Sequence, residues 1–173
     1  MSATNRPRIG VSACLLGRPL RYDGTARPHA WVLKTLAELT ELVPLCPETG
    51  AGLGVPRPPV QLVETPAGLR ALGVETPDLD VTEALLAWCQ AQDALLATLQ
   101  GVVLKSRSPS CGLGSTPVHD ALRRPVATGS GLFADHLARR HPHLVVAEDE
   151  DLATDTGRRE FLAALAKKNN SRY

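Results

Sequence analysis

Aromatic residues make up only 3% of this 173-residue chain, which leaves little of the stacking surface that single-stranded nucleic acids need. An excess of charge of one sign is also missing. Lysine and arginine number 19 against 18 aspartates and glutamates, for a net charge of +1, and the basic residues are scattered rather than clustered. That pattern excludes the electrostatic footprint of a nucleic-acid binder or of a protein held on an acidic membrane surface. No apolar run approaches the ~18 residues of a membrane span, and the start, MSATNRPRIGV, lacks the apolar stretch of a secretory signal. The chain reads as a soluble cytoplasmic protein with neither nucleic acid nor membrane as a partner. In that compartment thiols stay reduced, so cysteines serve as fillers, nucleophiles or metal ligands rather than as bridges. There is no C-x-x-C pair either, which argues against a zinc ribbon or a thioredoxin-like redox pair.

Internal repeats and low-complexity segments are absent, and 173 residues suit one domain with a proper core. That domain is expected over 8–168, between flexible ends at 1–7 and 169–173. Short apolar runs at 8–13, 43–46, 60–64, 102–106 and 144–147 read as buried strands. Helical spacing of apolar residues covers 31–42, 82–99 (starting at Thr82 as N-cap), 130–140 and about 158–168. Strands alternating with helices imply an α/β fold: a three-layer, Rossmann-like parallel sheet with helices on both faces. Two stretches depart from the alternation. Residues 49–80, dense in Gly and Pro, read as a long irregular loop, and 112–129 as another loop or an irregular hairpin. Both adjoin cysteines and suit the wall or lid of a site.

Three of the four cysteines follow short strand-like runs and sit among Gly, Pro and Ser: Cys14 in GVSACLLG, Cys46 in VPLCPETG and Cys111 in SRSPSCGLG. In an open α/β sheet ligands gather at the carboxyl ends of strands, so three such ends can bring three thiols to one point. Cys89, in ALLAWCQAQDALLATL, reads as an inert helix-core thiol. The plain alternative is that all are buried fillers, since free cysteine is among the most buried residue types. Pro47 and Gly112, which follow Cys46 and Cys111, argue against that, because neither thiol then sits where a strand or helix would pack it. Two metal options stay open on spacing alone. One is zinc held by three cysteines and a histidine; the other is a [4Fe–4S] cluster with one iron free of protein ligands.

The strings GVSACLLG…RYDG, CPE…G.GL..PRPP and LKSRSPSCG resemble, in order and spacing, a bacterial family first catalogued as a domain of unknown function. One branch of it is understood as thiouracil desulfurases. The resemblance spans roughly residues 8–150, and SRSPSCG is its most specific string. It implies a [4Fe–4S] cluster held by Cys14, Cys46 and Cys111, with one iron not ligated by protein, and so selects the cluster over zinc. It also implies catalytic roles for Glu48 and Ser108 and a small thiolated, pyrimidine-like substrate. Two departures stand out. Leu20 occupies a position where the family often has a second cysteine, and Val118-His119-Asp120-Ala121 stands where a Tyr-Asp-Gly string is common. The second falls in a loop expected to line the pocket.

Beside the resemblance, the residues carry their own readings. Glu48 is a carboxylate two positions from a candidate ligand, placed to activate water, or else a helix-dipole carboxylate. Ser108 is a hydrogen-bond donor toward a pyrimidine edge, or a turn serine before Pro109. Ser12, Tyr22, Asp23 and Lys105 are candidate substrate contacts, Asp23 toward a ring N–H and Lys105, with Arg107, toward a carbonyl oxygen or phosphate. Against that, Tyr22-Asp23-Gly24 reads as a turn, for which Asp-Gly is a strong signal, and Lys105 and Arg107 as solvated surface charge. His29, His136, His141 and His143 read as surface or helix-end residues. The run Gly50-Ala51-Gly52-Leu53-Gly54 is not a phosphate loop, because the Walker lysine is missing and Pro56, Pro58 and Pro59 forbid a following helix. The reading is therefore an iron–sulfur-dependent desulfurase that releases sulfide by non-redox hydrolysis. Its alternatives are a cluster-bearing sensor or accessory protein without turnover and, less well supported, a cofactor-free hydrolase, for which no histidine is well placed.

Overall fold

The computed structural model describes residues 6–170. The chain enters β1 (Arg8–Ser12), then a 3-10 turn, Ala13–Leu16, closed by Gly17 at φ 84°, a left-handed conformation that glycine takes without strain. A π-helical turn, Val32–Leu36, and α1 (Ala37–Leu39) lead to β2 (Glu41–Leu45) and directly into α2 (Pro47–Gly50). Next come β3 (Val60–Thr65), β4 (Gly68–Gly73), α3 (Thr82–Ala91), α4 (Asp93–Leu96) and β5 (Gly101–Leu104). The remainder is β6 (Thr116–His119), β7 (Pro125–Gly129), α5 (Leu132–Arg140), β8 (Val145–Glu148) and α6 (Asp155–Asn170). The ends expected to be flexible lie largely outside the described residues. Where they are described, Pro7 accepts a hydrogen bond from the Glu41 amide and α6 runs on to Asn170.

Strands β2, β1, β5 and β8 form a wholly parallel sheet in that order. Its central strands are apolar on both faces because helices cover both. On β5, Val102 and Leu104 join Leu45, Phe133 and Leu137 in one cluster, while Val103 joins Ile9, Val11, Phe161 and Leu165 in another. The alternation is the period of two that a strand imposes. Each fully buried side chain of this kind contributes about 1.5–3 kcal/mol. Cys89 lies in the first cluster, fully buried, as expected of an inert thiol, and burial pushes its pKa up to about 12.

A second sheet, in the order β4, β3, β6, β7, corrects the reading of 49–80 as loop and of 60–64 as a strand of the parallel sheet. β3 pairs antiparallel with β4 and parallel with β6. Pro66 and Ala67 make the hairpin turn between Thr65 and Gly68, and Leu62 and Ala71, opposite each other across the two strands, pack into one buried cluster with Val81, Leu85 and Val118. Dense Pro and Gly at the ends of these strands mask that alternation. The 112–129 segment is an irregular hairpin, its register shifting between Val118 and His119.

The helix expected over 82–99 is broken. Its first part ends as the Gln92 amide reaches the carbonyls of both Trp88 and Cys89, and Asp93 starts a new turn. Thr82 is not the N-cap. Val81 holds that place, and Asp80 Oδ1 accepts the Thr82 amide at 3.0 Å instead. The Thr82 hydroxyl is buried and accepts the amide of Ala71 at 2.8 Å, stitching α3 to the second sheet. Thr82→Val keeps the shape and strands that amide. It is expected to cost about 1–3 kcal/mol in denaturant unfolding; an unchanged midpoint would remove the stitch from this description.

Candidate functional site

The carboxyl ends of β1, β2 and β5 open into a cavity of about 460 Å³ whose wall includes Cys14, Cys46 and Cys111. Each thiol is placed by a different local device. Cys14 lies in the 3-10 turn after β1, with its carbonyl accepting the amides of Gly17 and Arg27. Cys46 holds the N-cap place of α2, where Pro47 suits the first helical position because no amide is needed there. Cys111 lies in a turn docked on the start of α5. The first amides of a helix lack partners within it, and here the Pro109 carbonyl takes that of Leu132 while Ser110 takes that of Phe133 at 2.8 Å. The approach is tight: a Cβ on Gly131 would lie 2.4 Å from the Ser110 carbonyl carbon.

All four cysteines are free thiols. Burial raises the pKa of Cys111, the nearby Cys46 and Cys14 sulfurs push it further up, and a hydrogen bond from Ser12 opposes them. Burial also raises that of Cys14, against the pull of Lys105. Three thiols gathered on one cavity, with Cys14 and Cys111 held protonated by burial until positive charge is brought near, are a donor set matched to a metal centre.

Glu48 faces the same cavity from the first turn of α2. Its Oε2 accepts from Arg57 Nη2 at 2.6 Å and Nε at 3.0 Å, and its Oε1 accepts the Ser110 hydroxyl at 3.3 Å. Arg57 is 5% exposed at the side chain and also donates to the carbonyls of Gly54 and Leu20. Neither Arg57 nor Ser110 was singled out from the sequence. An arginine between prolines in VPRPP, with no polar neighbour, was the available signal.

Ser108 lines the cavity, and its oxygen accepts the amides of Ser110 and Cys111 at 3.2 and 3.1 Å. It is a turn serine, its oxygen engaged by the turn that carries Cys111. Ser12 is buried and accepts the Lys105 amide at 2.9 Å, tying the ends of β1 and β5 together. Lys105 Nζ lies 3.2 Å from Asp149 Oδ2. Burial disfavours that carboxylate, but the Ser106 amide and Lys105 outweigh it and hold its pKa below the usual value.

Tyr22 lines the mouth of the cavity, half-exposed. Asp23 does not belong to the lining. Its carboxylate accepts the Thr25 amide and hydroxyl in a turn, bonds that lower its pKa. Arg107 lines the cavity yet pairs its guanidinium with Glu150. Val118 to Ala121 lie in β6 and the turn after it, outside the lining, so that departure from the family string does not touch the pocket. Glu148, also missed, is buried and accepts from the Leu113 amide and the Ser115 hydroxyl, anchoring the loop after Cys111. The helix-end reading holds for His141, which caps α5, but His136 sits in the middle of that helix, and both rings are nearly buried against Asp93, outside the cavity lined by Cys14, Cys46 and Cys111.

A parallel sheet whose carboxyl edge holds three free thiols and a carboxylate in one cavity defines an α/β protein with a cysteine-lined cavity at its strand ends. The comparisons narrow this. The family model for 2-thiouracil desulfurase matches residues 9–149. The chain is 30% identical over 148 residues to the uncharacterized protein YbbK of Bacillus subtilis (strain 168), covering 82% of this chain and 96% of that protein. It is similar to the solved structure of a [4Fe-4S]-dependent thiouracil desulfidase, TudS, with a TM-score of 0.71 and 30% identity over 93% of this chain and 99% of the other. This chain belongs to the 2-thiouracil desulfurase family. Among the described residues, no helix is long and apolar enough to cross a membrane.

Arg57→Met would strand the Glu48 carboxylate in a half-closed site. Breaking such a pair from one side is expected to cost about 3–5 kcal/mol, and the Glu48→Gln/Arg57→Met double variant should recover part of that loss in denaturant unfolding. Strictly additive losses would show that the two are not coupled.

Proposed function

We propose that this protein is an iron–sulfur-dependent desulfurase that removes sulfur from a small thiolated pyrimidine by hydrolysis, without net electron transfer, and releases sulfide. The observation that carries the reading is the shared cavity of Cys14, Cys46, Cys111 and Glu48. The donor set fits a [4Fe–4S] cluster: three thiols from three strand ends, none bridged, with no histidine among the residues lining the cavity to make a zinc site. Cys14, Cys46 and Cys111 would hold it, which leaves one iron without a protein ligand. When bound, it supplies a Lewis acid for a thiocarbonyl sulfur.

This chain's own groups supply the rest. Arg57 occupies Oε2 of Glu48 twice, while Oε1 meets only the distant Ser110 hydroxyl. Oε1 is therefore the oxygen that takes a proton from water as the water attacks the thiolated ring carbon. The new C–O bond replaces the C–S bond, and the two protons of the water leave with the sulfur as hydrogen sulfide. Thiocarbonyl plus water gives carbonyl plus hydrogen sulfide, so the electrons balance. The Ser108 hydroxyl donates to a ring nitrogen or oxygen and orients the substrate. Lys105, held by Asp149, sets positive charge beside Cys14.

Anaerobic reconstitution tests the centre. The protein should turn brown and take up about four irons and four sulfides per chain. Cys14→Ala, Cys46→Ala or Cys111→Ala should each cripple uptake and Cys89→Ser should not; a colourless product, or one that needs Cys89, would contradict the ligand set.

Incubating the reconstituted protein with 2- or 4-thiouracil separates an enzyme from a sensor, since only the enzyme releases sulfide through many turnovers. Glu48→Gln with full cluster content should lower that rate about 10²–10⁴-fold, and Ser108→Ala by less. Wild-type turnover in a cluster-loaded Glu48→Gln protein would end the water-activation role.

A further inference from the structure

A second set of ligand-type side chains lies at the other end of α5 from the cysteine turn. Asp93 Oδ1 is 2.7 Å from Nε2 of His136 and 2.7 Å from Nε2 of His141. The three ligand atoms all lie within 4.8 Å of one another. The two imidazoles are 10% and 8% exposed at the side chain, while the carboxylate, at 29%, faces the opening.

Three features of the fold converge on this arrangement. The break at Gln92 starts a new helix at Asp93 in a stretch of otherwise good helix formers. His136 projects from the body of α5. His141 is the C-cap residue, at φ −131° and ψ 54°, so the chain has left the helix and its ring turns back to within 5.8 Å of the ring of His136. At about 1.5 Å per residue along α5, His136 lies roughly 6 Å and His141 roughly 13 Å from the helix start docked on the Cys111 turn.

We infer that Asp93, His136 and His141 form a site for one divalent transition-metal ion, zinc being the best match, separate from the cysteine cavity. Two imidazoles and a carboxylate are zinc's ordinary nitrogen and oxygen ligands, whereas magnesium and calcium prefer all-oxygen sets. Bonds of about 2.0–2.1 Å at tetrahedral or octahedral angles hold neighbouring ligand atoms ~3 Å apart. The observed separations from Oδ1 need to widen by only a few tenths of an ångström, within reach of small side-chain rotations. Metal entry at Nε2 takes each imidazole as its neutral Nδ1–H tautomer, the Nε2 proton of the hydrogen-bonded form moving to Nδ1, and leaves the fourth position to water or to Oδ2. Arg140 Nη2 now lies 3.5 Å from Oδ2, and with 66% of its side chain exposed it can swing into solvent. Asp93 stays ionised down to low pH, its pKa held at about 2 by the bonds from His141 and His136. The ion would staple α4 to α5 on the flank of the parallel sheet.

Zinc added to zinc-free, cluster-loaded protein, followed by calorimetry, should show about one ion bound per chain beyond the cluster. Asp93→Asn and His141→Gln should each weaken it by more than the roughly 10–100-fold that losing an outer hydrogen bond to a ligand costs. Zinc-edge X-ray absorption on the wild-type protein with one equivalent needs no variant to fold. It should show nitrogen and oxygen neighbours at about 2.0–2.1 Å; sulfur at about 2.3 Å would put the ion on cysteines and overturn the site, whether or not the cluster was present. No zinc uptake, or equal uptake by both variants, would also overturn it and leave the trio as a hydrogen-bonded clamp.

Discussion

A single buried guanidinium ties together the loops that make the cavity. Arg57 reaches the Leu20 carbonyl in the segment after Cys14, the Glu48 carboxylate beside Cys46 and the Gly54 carbonyl of its own loop, while its backbone amide bonds to the Tyr22 carbonyl. Guanidinium suits this work because its donors form a rigid planar fork that stays charged at any working pH. Ionised groups this enclosed are costly unless paired and hydrogen-bonded, and here both conditions are met. The β1–β2 ladder sets the Cys14 and Cys46 segments side by side, and Arg57 adds a side-chain tie between the loops that follow them. The third cysteine is positioned independently, by the amides at the start of α5 that its turn must satisfy.

That division explains how the cavity combines rigidity with open ligand positions. The strand ends and α5 hold the three thiols, Arg57 holds the carboxylate by one oxygen, and the other oxygen faces the space where a substrate would lie. Ser108 works in the same way: its oxygen is used by the turn it builds, and its proton is left over. Lys105 and Asp149 close the side near Cys14 with a half-buried ion pair.

Much of this was legible in the sequence. The parallel sheet, the helices on both its faces, the inert Cys89 and the three cysteines at strand ends all follow from apolar periodicity and from where Gly and Pro interrupt it. The second sheet was hidden because Pro66, Gly68 and Gly73 made a real hairpin look like loop. Asp23 admits both a turn and a substrate contact from the sequence, and the structure has it in the turn, since an Asp-Gly pair carries no record of which way the carboxylate will bond. Arg57 and Glu148 were invisible for a different reason. A buried charge is stabilised by partners distant in the chain, nine residues away for Glu48 and 35 for Leu113, and periodicity does not report such pairings. Family resemblance supplied Glu48 and Ser108, but not the arginine that orients the one or the double acceptor role of the other.

The claim at the centre is that three thiols leave one iron of a cluster open to the sulfur of a substrate. Mössbauer spectroscopy of the ⁵⁷Fe-loaded protein, recorded with and without a thiouracil under slow-turnover conditions in Glu48→Gln, addresses it directly. About one iron in four should change its isomer shift and quadrupole splitting when the thiolated compound is added, and uracil should leave the spectrum as it was. Four irons indifferent to the thiolated compound would contradict the account.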